Sequence, residues 1–183
     1  MTDSKSQASA RRADGERPRG PRITAEMLGD VGVFGGLDDA TLGLLAQELP
    51  TVHVETGEVV VEEGDTSREM FVVVGGELEV VKESRSGAEA RVALFGPGDW
   101  FGEMSILEPA PRSATVRAVA PTMLVKITNE HVDQLLYRRD LKTYSLFLMN
   151  IARELSRRLR VADGIVAQLV TAVSDEYVAK RRR

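Results

Sequence analysis

Between Thr51 and Ile127 the chain repeats one device, a short run of β-branched or bulky apolar residues followed by a glycine turn. The runs are Val52 with Val54, then residues 59–61, 71–74, 78–81, 91–95, 113–120 and 122–127. Gly57, Gly64-Asp65, Gly75-Gly76, Gly87 and Gly96-Pro97-Gly98-Asp99 separate them, and Pro121 divides the last two. Such runs, bounded by turn residues, read as strands. Short strands at such regular spacing predict a small barrel or a double-sheet jelly roll. The expected class is mainly β with flanking helices.

The flanks change period. In residues 23–49, Asp38 is placed to cap a helix, and Leu42, Leu45 and Leu49 recur at helical spacing. Pro50 prevents simple continuation. Val31, Val33 and Phe34 precede Gly35-Gly36 and are expected to dock a short turn on the body. Beyond the strands, Thr128 caps a helix to about Tyr137, and a longer helix starts near Asp140. Its apolar residues Leu141, Leu148, Ala152, Leu155, Leu159 and Ala162 recur in steps of seven, four and three, with Ser145 filling the first gap. Val166, Leu169 and Val173 extend the stripe past Gly164. A seam of this kind pairs two helices, parallel or antiparallel, or lies on its own barrel. A second face, Tyr144, Phe147 and Ile151, is available to the barrel while the first serves a partner. The chain divides into a polar tail expected to be disordered (residues 1–22), a folded domain (23–162) and a helical or frayed extension (163–183). The basic residues at both ends read as solvated termini.

Composition excludes several chemistries. The chain of 183 residues has no cysteine, so disulfides and thiolate sites are absent. His53 and His131 lack ligand spacing, and no metal is expected. A formal net charge of -4 gives no global field for nucleic acid. No apolar run approaches the ~20 residues of a membrane helix, and the N-terminus lacks an apolar signal-peptide core. A cytoplasmic protein is expected, with no membrane contact.

One stretch, residues 95–118, carries chemistry. Gly102-Glu103 follows a strand-like pair, Trp100-Phe101, and residues 104–107 are long enough for one helical turn. The first N–H groups of such a turn lack internal acceptors and attract an anion. Arg112 comes five residues after Leu107, near enough to fold back on the same spot, and its planar fork suits a phosphate. Glu103 fits beside an anion if the ligand also carries a hydroxyl that needs an acceptor. A surface Arg–Glu pair on a loop gives the same spacing, so the pattern alone leaves both readings open.

Phe101-Gly102-Glu103, the one-turn segment, and Pro111-Arg112-Ser113-Ala114-Thr115-Val116 together resemble the phosphate-binding cassette of cyclic nucleotide-binding domains. The interval from Glu103 to Arg112 is similar to that of protein kinase A regulatory subunits, and the upstream glycines resemble the same family. The likeness covers residues 31–161. It implies a β-roll flanked by helices that binds cyclic AMP or cyclic GMP. By this resemblance Glu103 accepts from the ribose 2′-hydroxyl and Arg112 pairs with the cyclic phosphate. Gly102, Met104 and Ser105 bring backbone close to ribose and phosphate. Ser113 and Ala114 follow the arginine, where the family tunes the base and phosphate environment. Ser113 resembles the bacterial catabolite activator, which favours cyclic AMP. Val92 is the candidate apolar face against the base. Pro109 departs from the pattern within the cassette loop.

The expected protein is a stand-alone cyclic nucleotide sensor whose signal leaves through the helix bearing Leu141 and Leu159, to a second copy or another protein. Family transcription factors carry a helix-turn-helix after that helix, and the roughly twenty residues beyond Val161 are too few for one. Direct DNA binding is therefore not expected. Rival readings are a degenerate roll that docks proteins without nucleotide, and a DNA regulator acting through its basic tails. An enzyme is disfavoured because the sequence offers no nucleophile–base pair and no metal cluster.

Overall fold

The computed structural model describes residues 22–84 and 87–181. The reading of residues 1–21 as a disordered tail lies outside them. Helix α1 (Ala25–Gly29) leads through a 3₁₀ turn (Gly32–Phe34) into α2 (Asp39–Glu48). The Asp38 carboxylate accepts from Thr41 N at 2.7 Å, the cap read from the sequence. Eight strands follow: β1 (Thr51–Val54), β2 (Val59–Val61), β3 (Glu69–Gly75), β4 (Leu78–Glu83), β5 (Glu89–Phe95), β6 (Trp100–Phe101), β7 (Thr115–Ala118) and β8 (Thr122–Thr128). Helix α3 (Glu103–Leu107) interrupts them between β6 and β7.

The strands form two four-stranded antiparallel sheets, ordered β1-β8-β3-β6 and β2-β7-β4-β5. This is the expected jelly roll. Alternation along β3 explains its unbroken apolar run. Phe71 and Val73 point between the sheets and meet Val61, Leu78, Val80, Phe101, Val116 and Leu124. Met70 and Val72 point the other way, onto a second cluster with Leu28, Phe34, Leu45, Phe147 and Ile151 from the helices. A strand covered on both faces has no polar side to show.

After β8, Thr128 Oγ1 accepts from His131 N at 3.2 Å, while Thr128 N donates to His131 Nδ1 at 3.2 Å. These two bonds close the N-terminus of α4 (Asn129–His131). The helix expected to run to Tyr137 changes pitch instead, and residues Val132–Tyr137 form a π-helix. Val132 and Leu136 from that segment are buried against the helical cluster, so packing overrides the regular pitch. Asp140 then caps α5 (Leu141–Arg181), accepting from Thr143 N at 2.8 Å. Helix α5 passes Gly164 without a break. Phe147 and Ile151 are fully buried on the body, as their face of the helix predicted. Asn150 fastens the same face, with its Nδ2 donating to Val33 O at 3.1 Å and Gly35 O at 2.8 Å.

Candidate functional site

The jelly roll leaves a cavity of about 370 Å³ open between the second sheet and α3. That is a volume typical of a small-ligand cleft, roughly 300–1,000 Å³. Its walls are apolar, from Val61, Val80, Ala93, Phe95, Phe101, Ala114 and Val116. Five polar residues gather among them: Glu103, Ser105, Arg112, Ser113 and Arg158.

Gly102 makes that convergence possible. It caps α3 with φ of 83°, a left-handed conformation that favours glycine. A Cβ there would lie 2.6 Å from Glu69 O and 2.7 Å from Arg112 Nη1. The turn therefore passes directly over the guanidinium. Arg112 is only 6% exposed. Its Nε donates to Ser67 Oγ at 3.1 Å, its Nη1 to Ser105 Oγ at 3.2 Å and its Nη2 to Glu69 O at 2.7 Å. A longer contact of 3.4 Å joins Nη2 to the Glu69 carboxylate. Burial pulls the guanidinium below its ordinary pKa, while Glu69 and Asp65 oppose that shift. The backbone at Arg112 is fixed from the β2–β3 loop. Arg112 N donates to Asp65 O at 2.7 Å, and Gly64 N donates to Arg112 O at 2.9 Å. Pro109 does not prevent this delivery.

Glu103 is 3% exposed. Burial pushes its carboxyl above the ordinary value, and Arg158 acts in the opposite direction. Arg158 reaches the site from α5. Its Nη1 lies 3.3 Å from Glu103 Oε1, its Nη2 donates to Trp100 O at 2.9 Å, and its Nε donates to Glu154 Oε1 at 3.0 Å. The guanidinium carbon sits 5.6 Å from the centroid of the Phe95 ring. The long helix thus places a cation at the cavity mouth.

Of the sequence-derived site residues, Gly102, Glu103, Met104, Ser105, Arg112, Ser113 and Ala114 all line the cavity. Met104 is half-exposed at its rim. Val92 does not line it and is a correction. Pairing shifts from Val80 opposite Ala93 to Val81 opposite Arg91, which leaves Val92 as the extra residue of a β-bulge. Val92 is 56% exposed, and Ala93 and Phe95 supply the β5 wall instead. Sequence reasoning also missed Ser67, Glu69 and Arg158. Ser67 and Glu69 sit on a distant loop and strand and carry no local signal. Arg158 directly precedes Leu159 of the apolar stripe, and its position beside that seam was the available sign.

Residues 51–139 match the family model for the cyclic nucleotide-binding domain. This segment belongs to the cyclic nucleotide-binding domain family. The chain is 26% identical over 156 residues to a CRP-like cAMP-activated global transcriptional regulator of Mycobacterium tuberculosis, covering 85% of this chain and 67% of that protein. It is 31% identical over 137 residues to a cAMP-dependent protein kinase regulatory subunit of Dictyostelium discoideum, covering 69% of this chain and 42% of that subunit. The catabolite activator protein of Thermus thermophilus superposes with a TM-score of 0.68 and 31% identity, over 75% of this chain and 62% of that one. The chain thus spans only part of each of these relatives. The cyclic nucleotide-binding fold accounts for the two sheets, the one-turn α3 and the C-terminal helix. Among the described residues no helix is long and apolar enough to cross a membrane.

Proposed function

We propose that this protein is a cyclic nucleotide sensor with cyclic AMP as its ligand, working in the cytoplasm and not as an enzyme. The observation that carries the reading is a pair of buried opposite charges on one cavity wall. Arg112 and Glu103 are 6% and 3% exposed, the first packed against and the second directly following a glycine that leaves no room for a side chain. Burying a guanidinium and a carboxylate this deeply is costly unless each has a defined partner. Each already has a protein partner, Glu69 for Arg112 and Arg158 for Glu103, and both also line the cavity, where a cyclic phosphodiester suits the guanidinium and a ribose hydroxyl suits the carboxylate. The phosphate displaces the long 3.4 Å contact with Glu69, while Ser67 and the Glu69 carbonyl keep the guanidinium aimed. The base lies along Val80, Ala93, Phe95 and Val116, in a cavity that Ser113 also lines. The names of the mycobacterial and Dictyostelium relatives support cyclic AMP over cyclic GMP.

Output runs through α5, to a second copy or a protein partner. Arg158 ties that helix to the Glu103 carboxylate, so an incoming ribose hydroxyl and the helix compete for it. The ligand shifts the helix only by its differential affinity for the two arrangements. Calorimetric titration with cyclic AMP tests the reading. Arg112→Ala is expected to cost about 2–5 kcal/mol of binding, because it removes one side of a desolvated charge pair. Unchanged affinity in that variant, or no heat from the parent, refutes the assignment.

A further inference from the structure

On strand β4, Leu78 and Val80 pack between the sheets, and Val80 lines the cavity. Two residues on, where alternation returns to that face, the strand carries Lys82. The pairing of β4 with β7 stops one residue earlier, at Val81 opposite Thr115. The residues just before Thr115, namely Arg112, Ser113 and Ala114, thus lie beyond the ladder, and all three line the cavity.

Two other bonds hold them. Arg112 O accepts from Gly64 N at 2.9 Å, and Ser113 O accepts from Lys82 Nζ at 2.6 Å. The described residues contain no cis peptide bond. In a trans peptide the carbonyl and the following N–H point opposite ways. Fixing those two oxygens therefore fixes the direction of the Ser113 and Ala114 N–H groups beside the guanidinium. The ammonium is itself aimed. Glu63 Oε1 lies 3.3 Å from Lys82 Nζ, and Glu63 Oε2 accepts from Glu83 N at 3.3 Å. Glu63 N donates to Thr115 Oγ1 at 2.9 Å. One glutamate thus joins the loop after β2, the end of β4 and the start of β7. The Lys82 and Glu63 side chains are 49% and 34% exposed. Ion pairs this open contribute little to stability. What the pair does fix is the shape of one cavity wall.

We propose that Lys82 is a positioning residue for the phosphate end of the cavity: held by Glu63, its ammonium grips the Ser113 carbonyl and so sets how the two peptide groups after Arg112 face the ligand. This role deepens the sensor reading and rests on it.

Calorimetric titration of the full chain with cyclic AMP, with a urea midpoint measured on each variant, tests the role. Lys82→Met is expected to weaken binding by about tenfold, the lower end for a hydrogen bond to a charged group, with the midpoint nearly unchanged. Lys82→Arg is expected to recover most of the loss. Glu63→Gln separates positioning from plain attraction between Lys82 and an anionic ligand, because the two have opposite signs. Removing the carboxylate leaves a freer positive charge, so attraction alone tightens binding, whereas loss of aim weakens it. The two phosphorothioate diastereomers of cyclic AMP, with sulfur at one or the other exocyclic position, give a further readout. Lys82→Met is expected to narrow the parent's preference between them. Tighter binding in Glu63→Gln, an equal loss for both diastereomers, or parent-like affinity in Lys82→Met overturns the positioning role and leaves the sensor reading standing. No heat from cyclic AMP in the parent overturns the sensor reading, and the role of Lys82 falls with it.

Discussion

At Gly102 the main chain passes so close to Arg112 that a single methyl group has nowhere to go. Gly102→Ala therefore adds left-handed backbone strain, about 1–3 kcal/mol, and pushes on the guanidinium. The expected result is a lower urea midpoint together with a loss of cyclic AMP affinity, measured on the same preparation by chemical denaturation and calorimetry. Glu103 makes a prediction about pH. Burial raises its pKa above the ordinary 4.5, against the pull of Arg158, so the folded chain keeps this proton to a higher pH than the unfolded chain does. The folded state holds a proton that the unfolded chain has released, and this contribution to stability is lost as pH rises from 4.5 through the raised value. In the proposed role Glu103 accepts from ribose as a carboxylate, which has the opposite sign. Cyclic AMP affinity is expected to fall on acidification, starting above pH 4.5, and Glu103→Gln is expected to flatten that limb in a pH series of titrations. Both residues were legible beforehand because their chemistry is local. Glycine, carboxylate and arginine stand within eleven residues of one another.

Among elements, the helices were legible where a side chain caps its own backbone, as at Asp38, Thr128 and Asp140. They were not legible where a distant surface dictates pitch, as in the π-segment Val132–Tyr137. Strand β5 shows the same limit. The family resemblance offered Val92 for the base, but Ala93 and Phe95 face the cavity while Val92 lies at a bulge against β4, and only the pairing partner reveals that extra residue. The seat of α5 on the body depends on Asn150, whose amide serves two carbonyls of the 3₁₀ turn at 3.1 and 2.8 Å. Arg153 Nη1 donates to the amide oxygen at 3.1 Å. Asn150→Ala leaves those carbonyls short of donors in a buried place, at a cost of about 1–3 kcal/mol. A lower urea midpoint with an unchanged slope is the expected reading, since the area exposed on unfolding stays nearly the same.

For the whole molecule, the sequence carried the roll because glycine turns and period-two runs are short-range signals. It carried α5 because the apolar stripe keeps its step over many turns. The meeting of the two is long-range, and Arg158 was hidden for that reason: its partners Trp100 and Glu103 lie 58 and 55 residues away. The junction they form has an unusual tenant. Trp100 is the chain's one tryptophan. Its side chain is buried in the helix-facing cluster, its carbonyl holds Arg158, and the next residue, Phe101, stacks on Phe71 and Phe95 inside the roll. The molecule's brightest ultraviolet chromophore thus sits where the roll meets α5, a built-in optical gauge of how the two are joined.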